Sequence, residues 1–361
     1  MFGTIILFII LLSLLVFVHE FGHFIVARKT GMKVEEFGFG FPPRLFGIKK
    51  GDTLYSINWI PLGGFVRVKG ESGDKKDESD SFSSKSVWKR FLVLIAGVAM
   101  NMILAAVLLM VGFGLGIPSV VDETLPVNVT VKDQAVRIVS VVPNSPASLA
   151  GIQMGDTLVS IDEQTFLSAT AAREYIAQKK GEPVSLTLKR GDENLVKIVE
   201  SAYLEEVQQE GIGVGLVETA LVSYPWYSAI GQGILATGTF TWEILKAFGQ
   251  ILKNLVLTQE AGMELSGPVG IAVMTGQVAA LGISYLLQFA AILSINLAII
   301  NVLPFPALDG GRILFVIIEK LRRGKPVNQK IETIVHNLGF IFLMSLVVLV
   351  TYQDIVKFFV K

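Results

Sequence analysis

Ile5-Ile6-Leu7-Phe8-Ile9-Ile10-Leu11-Leu12-Ser13-Leu14-Leu15-Val16-Phe17-Val18-His19-Glu20-Phe21-Gly22-His23 decides how the rest of the chain is read. Fourteen residues without a charge run into His-Glu-x-x-His. On a helix that spacing puts two imidazoles one turn apart on one face, with a carboxylate beside them. This is a donor set for zinc with a glutamate positioned as general base. In a soluble protein the pattern can arise by chance. At the end of a bilayer-crossing helix, two histidines and a glutamate are costly unless they have partners and a role.

The composition agrees with a membrane setting. The 361 residues are 52% hydrophobic and only 17% charged, with a mean hydropathy of +0.59, well above a soluble domain. Formal net charge is zero, so nucleic acid is not an expected partner. There is no cysteine, which excludes disulfides and leaves His and carboxylate as zinc ligands. No basic stretch precedes the first apolar run and no small-residue cleavage site follows it, so it reads as a retained helix.

A span needs about 20 apolar residues. Four segments qualify, near 3–27, 91–117, 285–303 and 334–350. A weaker stretch from Ile230 to Leu257 carries Trp242, Glu243, Lys246 and Lys253 and reads as amphipathic or interfacial. Lys and Arg are in excess between Arg28 and Arg90 and again after Asp309. The positive-inside rule therefore puts both loops in the cytoplasm and the acid-rich stretch between spans two and three outside.

A catalytic zinc takes three protein ligands and keeps one position open. His336 is the only other histidine; at the start of span four it is more readily structural than a ligand. Asp309 is the stronger candidate, in Asn301-Val302-Leu303-Pro304-Phe305-Pro306-Ala307-Leu308-Asp309-Gly310-Gly311. Its prolines break the helix, and irregular backbone at membrane depth must be buried in protein or line a polar cavity.

Taken together, His19-Glu20-Phe21-Gly22-His23, Gly97-Val98-Ala99-Met100-Asn101, Ser266-Gly267-Pro268-Val269-Gly270 and Asn301 to Gly310 resemble the site-2 protease family of intramembrane zinc metalloproteases. They resemble in particular the bacterial regulated-proteolysis branch that carries a PDZ domain. The elements occur in order over nearly the whole chain; Val98 stands where related sequences often have proline. The resemblance implies Zn2+ held by His19, His23 and Asp309, with Glu20 as general base. It gives Asn301 either a hydrogen bond to substrate backbone or oxyanion, or a place in helix packing. Asn101 has the same two readings.

Thr53 to Glu71 is rich in β-branched and aromatic residues. Phe65 to Lys69 alternates as a strand, and Gly63-Gly64 reads as a turn. In the family a similar element enters the membrane beside the active site. Gly63, Gly64, Phe65, Val66, Arg67 and Val68 are thus the expected binding segment for an unwound substrate, added as a strand. Glu71 to Ser86 is polar and reads as a flexible linker. From Val131 to about Tyr203, and above all over Val139 to Asp162 (Pro143 and Asn144 included), the chain resembles a PDZ domain, with Ala171 to Lys179 as its second helix and Pro183 to Lys189 as a closing strand.

The expected fold is a polytopic α-helical membrane protein of about four transmembrane helices. It carries a cytoplasmic membrane-associated β-hairpin loop and an inserted extracytoplasmic α+β PDZ domain. The expected division is 1–30 (helix 1 with the zinc motif), 31–90 (cytoplasmic loop), 91–117, 127–205 (PDZ domain), 206–284 (extracytoplasmic or interfacial helices), 285–311 (helix 3 with the third ligand), 312–333 (cytoplasmic loop) and 334–352. By resemblance, the place is a bacterial cytoplasmic membrane. The partners are membrane lipid, single-span membrane proteins already trimmed by another protease (anti-sigma factors, or remnant signal peptides), and peptide ends at the PDZ domain. The alternative is a catalytically silent PDZ membrane scaffold, which would sit better with Glu20 or a ligand replaced.

Overall fold

A computed structural model describes residues 2–71, 73, 75, 77–120, 129–142, 145–179, 181–191, 193–204, 209–257 and 267–356. Ser266, Pro143 and Asn144 lie outside the described residues. The chain divides into two compact units.

The first unit takes residues 1–110, 232–279 and 286–361. Its frame is four helices long and apolar enough to cross a membrane: α1 (Phe2–Lys29), α2 (Val87–Leu115), α7 (Ile283–Val302) and α9 (Gln329–Ile355). None of these segments contains a proline, so nothing interrupts the backbone ladder that lipid requires. The described residues also include the helices α5 (Trp226–Leu257), α6 (Pro268–Ala280) and α8 (Asp309–Leu321). The weak stretch from Ile230 lies in α5, which is not among the four candidate spans.

Between α1 and α2, β1 (Val34–Lys50) and β2 (Thr53–Val68) form one long antiparallel hairpin. Its turn lies at Gly51, where φ is +63°, and not at Gly63-Gly64. Those two glycines sit within β2. Gly63, with φ +102°, approaches Val16 so closely that a Cβ there would stand 2.8 Å from Val16 Cγ1. The near end of the hairpin packs on α1 through aromatic rings, with Phe24 and Phe37 stacked at 4.7 Å. The far end carries Phe41, Leu45, Phe46, Ile48, Trp59 and Ile60 exposed. Glu71 to Ser86 is not simply a free linker where it is described. Phe82 is buried in the core around Phe24, Val34 and Ile313, and Lys33 N–H donates to Asp80 O at 2.9 Å. One aromatic anchor outweighs the polar composition.

The second unit takes residues 111–231 and 280–285. It is a six-stranded antiparallel sheet in the order β3-β10-β4-β5-β6-β7. These strands are β3 (Ile117–Val120), β4 (Thr130–Val141), β5 (Thr157–Ile161), β6 (Pro183–Arg190), β7 (Glu193–Glu200) and β10 (Val214–Ser223). A small pair, β8 (Ala202–Leu204) and β9 (Gln209–Gly211), precedes β10. Helices α3 (Pro146–Leu149) and α4 (Ala169–Gln178) start at Ser145 and Ser168, whose hydroxyls accept from Ser148 N–H and Ala171 N–H. Val136, Ile138, Ile161, Val184, Leu186, Leu188 and Leu216 fill the core. The sheet reaches beyond 127–205 at both ends. β10 lies between β3 and β4, so the segment at Pro183 does not close the sheet.

Candidate metal centre

Two helices of the first unit bring the three donors together. His19 and His23 are buried on α1, at 6% and 7% exposure. Asp309 is the first residue of α8. His19 Nε2 lies 2.9 Å from Asp309 Oδ2, His23 Nε2 lies 3.2 Å from the same oxygen, and the two Nε2 atoms are 3.2 Å apart. Ligands at about 2.0–2.1 Å from a tetrahedral zinc stand roughly 3.3 Å from one another. The three donors thus have the spacing a zinc ion needs, and the chemistry of the set (two imidazoles and one carboxylate) suits it. Among the described residues this is the group of three His, Cys, Asp or Glu that could hold a metal. His336 is not in it.

The outer nitrogens of both imidazoles are also engaged. His23 Nδ1–H donates to Val93 O of α2 at 2.7 Å, which turns Nε2 toward the cluster as a lone pair. His19 Nδ1 faces the Asn101 side-chain amide at 3.4 Å, while Asn101 Oδ1 is buried without a partner among the described residues. With the amide oxygen in place of the nitrogen, the His19 ring nitrogen gains an acceptor. His19 Nδ1–H then donates to Asn101 Oδ1, the outer-shell hydrogen bond a metal-bound histidine ordinarily makes. Asn101 is held in turn by Ser294 of α7, whose hydroxyl donates to its backbone carbonyl at 2.8 Å. A Cβ at Gly97 would stand 2.7 Å from His19 Nε2; only glycine lets α2 pass this close to the imidazoles.

Asp309 is delivered by a sharp change of direction. Residues 303–308 leave α7 and return as the start of α8. A Cβ on Gly310 would meet the Val302 and Leu303 carbonyls, and one on Gly311 would lie 3.0 Å from Phe305 C and 3.1 Å from Pro306 Cα. Two side-chain-free residues therefore seat the helix start on its own loop.

Glu20 points to the hairpin. Val66 N–H donates to Glu20 Oε2 at 3.1 Å. Upstream on the same face of α1, Ser13 Oγ donates to Pro61 O at 2.6 Å, and Gly63 packs on Val16. The segment 61–66 thus runs down α1 to the carboxylate. Phe65, Val66 and Val68 line a cavity of about 230 Å³ with Glu20, His23 and Asp309. Of the other expected substrate contacts, Gly64 places a would-be Cβ 4.0 Å from Glu20 Cγ. Arg67 is turned to Glu36 at 3.5 Å. Asn301 sits one residue from the end of α7 and makes no hydrogen bond to His19, His23 or Asp309 among the described residues. Two contributors escape sequence reading: the Val93 carbonyl, since a backbone acceptor leaves no compositional trace, and the Arg312–Glu71 ion pair at the edge of the cavity.

The model of peptidase family M50 matches residues 7–346. A Clostridium perfringens protein whose name carries the words zinc metalloprotease is 41% identical over 347 residues, covering 95% of this chain and 96% of that one. The regulator of sigma-W protease RasP of Bacillus subtilis is 32% identical, covering 99% of each. Among solved structures, the PDZ domain of an SdrC-like protein of Listeria monocytogenes is similar over 24% of this chain and 92% of that one, at 30% identity and a TM-score of 0.22. With both the His-Glu-x-x-His element and the Leu308-Asp309-Gly310 element inside the matched residues, the chain belongs to peptidase family M50, the site-2 protease family, and is a membrane protein and a hydrolase of the zinc metalloprotease class.

Proposed function

We propose that the protein cleaves single-span membrane proteins within the bilayer, with His19, His23 and Asp309 as zinc ligands and Glu20 as the acid–base group. The observation that carries this reading is the convergence of the three donor atoms, at 2.9–3.2 Å, beside a glutamate on a helix that can cross a membrane. Zinc bound there supplies a water acidified to a pKa of about 7 and a Lewis acid for the scissile carbonyl. The protein's own groups do the rest. Glu20 takes the proton of the attacking water and passes it to the leaving amine. Val93 O and Asn101 keep the imidazoles in the tautomer that presents Nε2.

The substrate arrives as a helix whose backbone bonds are internally satisfied, and cleavage requires it extended. The edge of β2 at Val66 is the proposed template. Its N–H already bonds the Glu20 carboxylate, so a substrate strand added there lies against the metal cluster. Gly63 to Val68 form that binding segment, and Asn301 holds the substrate backbone or oxyanion. By analogy with the sigma-W regulator relative, anti-sigma factors first trimmed by another protease are proposed substrates, with remnant signal peptides beside them. The site lies toward the cytoplasmic face of a bacterial cytoplasmic membrane, in contact with lipid. The six-stranded sheet unit acts outside as a PDZ domain, receiving peptide ends or excluding untrimmed substrates by bulk.

Membrane fragments are compared in cells carrying the wild-type protein and cells carrying Glu20→Gln. Trimmed single-span stubs are expected to accumulate only with Glu20→Gln. Identical fragment pools under envelope stress refute intramembrane cleavage.

A further inference from the structure

We propose that His336 is a positioning residue for the metal site: it clasps the loop that presents Asp309. The inference rests on the ligand set proposed above. The loop between α7 and α8 has few backbone donors. Pro304 and Pro306 have none, and the N–H groups of Phe305 and Leu308 bond within the loop, to Leu303 O at 2.7 Å and Phe305 O at 3.2 Å. Ala307 N–H instead reaches another element: it donates to His336 Nδ1 at 2.9 Å. Ala307 stands two residues before Asp309 and has φ +77°, a left-handed conformation that a residue with a Cβ adopts at a cost. Such a conformation persists only where its surroundings over-determine it.

α9 provides those surroundings on one face. His336, Gly339 and Phe342 are spaced i, i+3, i+6 and meet three consecutive loop residues. His336 bonds Ala307. Gly339 lies so close to Pro306 that a Cβ would stand 2.8 Å from Pro306 C. Phe342 packs on Phe305 with ring centroids 5.9 Å apart. The remainder of α9 is largely exposed, its buried residues being Gly339, Val350 and Asp354. On α8, Phe315 packs on the His336 ring with centroids 5.5 Å apart. As acceptor to Ala307, Nδ1 carries no proton, so His336 acts as a neutral ring fixed in one tautomer. A shift of Ala307 is transmitted over two bonded residues to the Asp309 carboxylate.

The test is zinc affinity, measured by chelator competition on detergent-purified full-length protein, with helical circular dichroism as the check on folding. His336→Phe keeps the ring and its packing on Phe315 but deletes the acceptor; it is expected to weaken zinc binding about tenfold or more. His336→Asn loses the ring but places an amide oxygen near the position of Nδ1; it is expected to stay close to wild type. In an Ala307→Gly background, where left-handed φ is unstrained, His336→Phe is expected to weaken zinc less. If His336→Phe fails to fold, His336→Leu carries the same prediction. Wild-type affinity in the phenylalanine variant overturns the inference. So does an asparagine variant as weak as the phenylalanine one, because an acceptor near the position of Nδ1 would then fail to hold the loop. Asp309→Ala runs alongside. Zinc lost there but kept in His336→Phe overturns the clasp alone, whereas zinc kept in Asp309→Ala overturns the ligand set and the clasp with it.

Discussion

In the sheet unit the largest fully buried side chains are aliphatic, such as Val136, Ile161, Val184 and Leu188, each at 0–1% exposure. In the helical unit the buried positions include Ser13, His19, His23, Asn101, Thr275 and Ser294, while Ile10, Ile103, Phe342 and Val348 are 54–68% exposed. One unit is apolar inside and polar outside; the other is turned the other way at its functional centre. The sheet follows the rule of water as solvent. The helices follow the rule of lipid, where exposed apolar side chains carry no penalty and polar groups gather inward. The contrast shows where chemistry should be sought. A buried polar group in the sheet unit is a packing problem solved locally, as with Asp156 and Arg190. A buried polar group in the helical unit is a candidate for function.

The contrast can be broken or sharpened by substitution. The largest expected effect is in the sheet core. Leu188→Ala should lower the unfolding free energy of that unit by about 2–5 kcal/mol, seen as an earlier thermal transition. Zinc binding by the helical unit should be unchanged; coupled loss of both would erase the distinction between the units. Next comes a matched pair at exposed isoleucines. Ile103→Lys on α2 should cost about 2.5–3.5 kcal/mol of insertion free energy and reduce the amount of protein recovered in membranes. Ile198→Lys on β7, at 70% exposure, should change stability by no more than about 0.5 kcal/mol. Equal effects would mean the two surfaces face the same solvent.

The smallest effect is a pH dependence confined to the sheet unit. Burial alone would raise the Asp156 carboxyl. Hydrogen bonds from Arg190, at 2.6 and 2.7 Å, and from Gln153 N–H at 2.9 Å prevail and hold it below the usual carboxylate range. A carboxylate lowered in the folded state stabilises above its unfolded value, about 3.9, and loses that contribution as pH falls through the lowered folded value. The melting temperature gap between wild type and Asp156→Asn should therefore be widest near neutral pH and close on acidification. A gap independent of pH would contradict the assignment.

The sequence shows the candidate metal site more clearly than the architecture around it. His19, Glu20 and His23 are readable because their spacing matches one helical turn and their setting is apolar. Asp309 is readable because prolines and glycines have no business at the end of a membrane helix unless they shape something. The hairpin turn is misread at Gly63-Gly64, since a glycine pair signals a turn but here gives a strand room to pass Val16; the true turn at Gly51 is masked by the lysines before it. β3 and β10 escape notice because their pairing joins segments about a hundred positions apart, as Val120 with Thr219. His336 reads as a lone interfacial histidine, because its partner is a backbone N–H 29 residues away, set by a conformation of Ala307 that no residue type announces.

The central claim is tested most directly by mapping the cut. A single-span substrate is co-reconstituted with the purified protein in lipid vesicles, and its products are sized by mass spectrometry. Cleavage within the apolar span, abolished by Glu20→Gln and by chelation of zinc, is the predicted result. A cut outside the span, or one that persists with Glu20→Gln, would contradict the account.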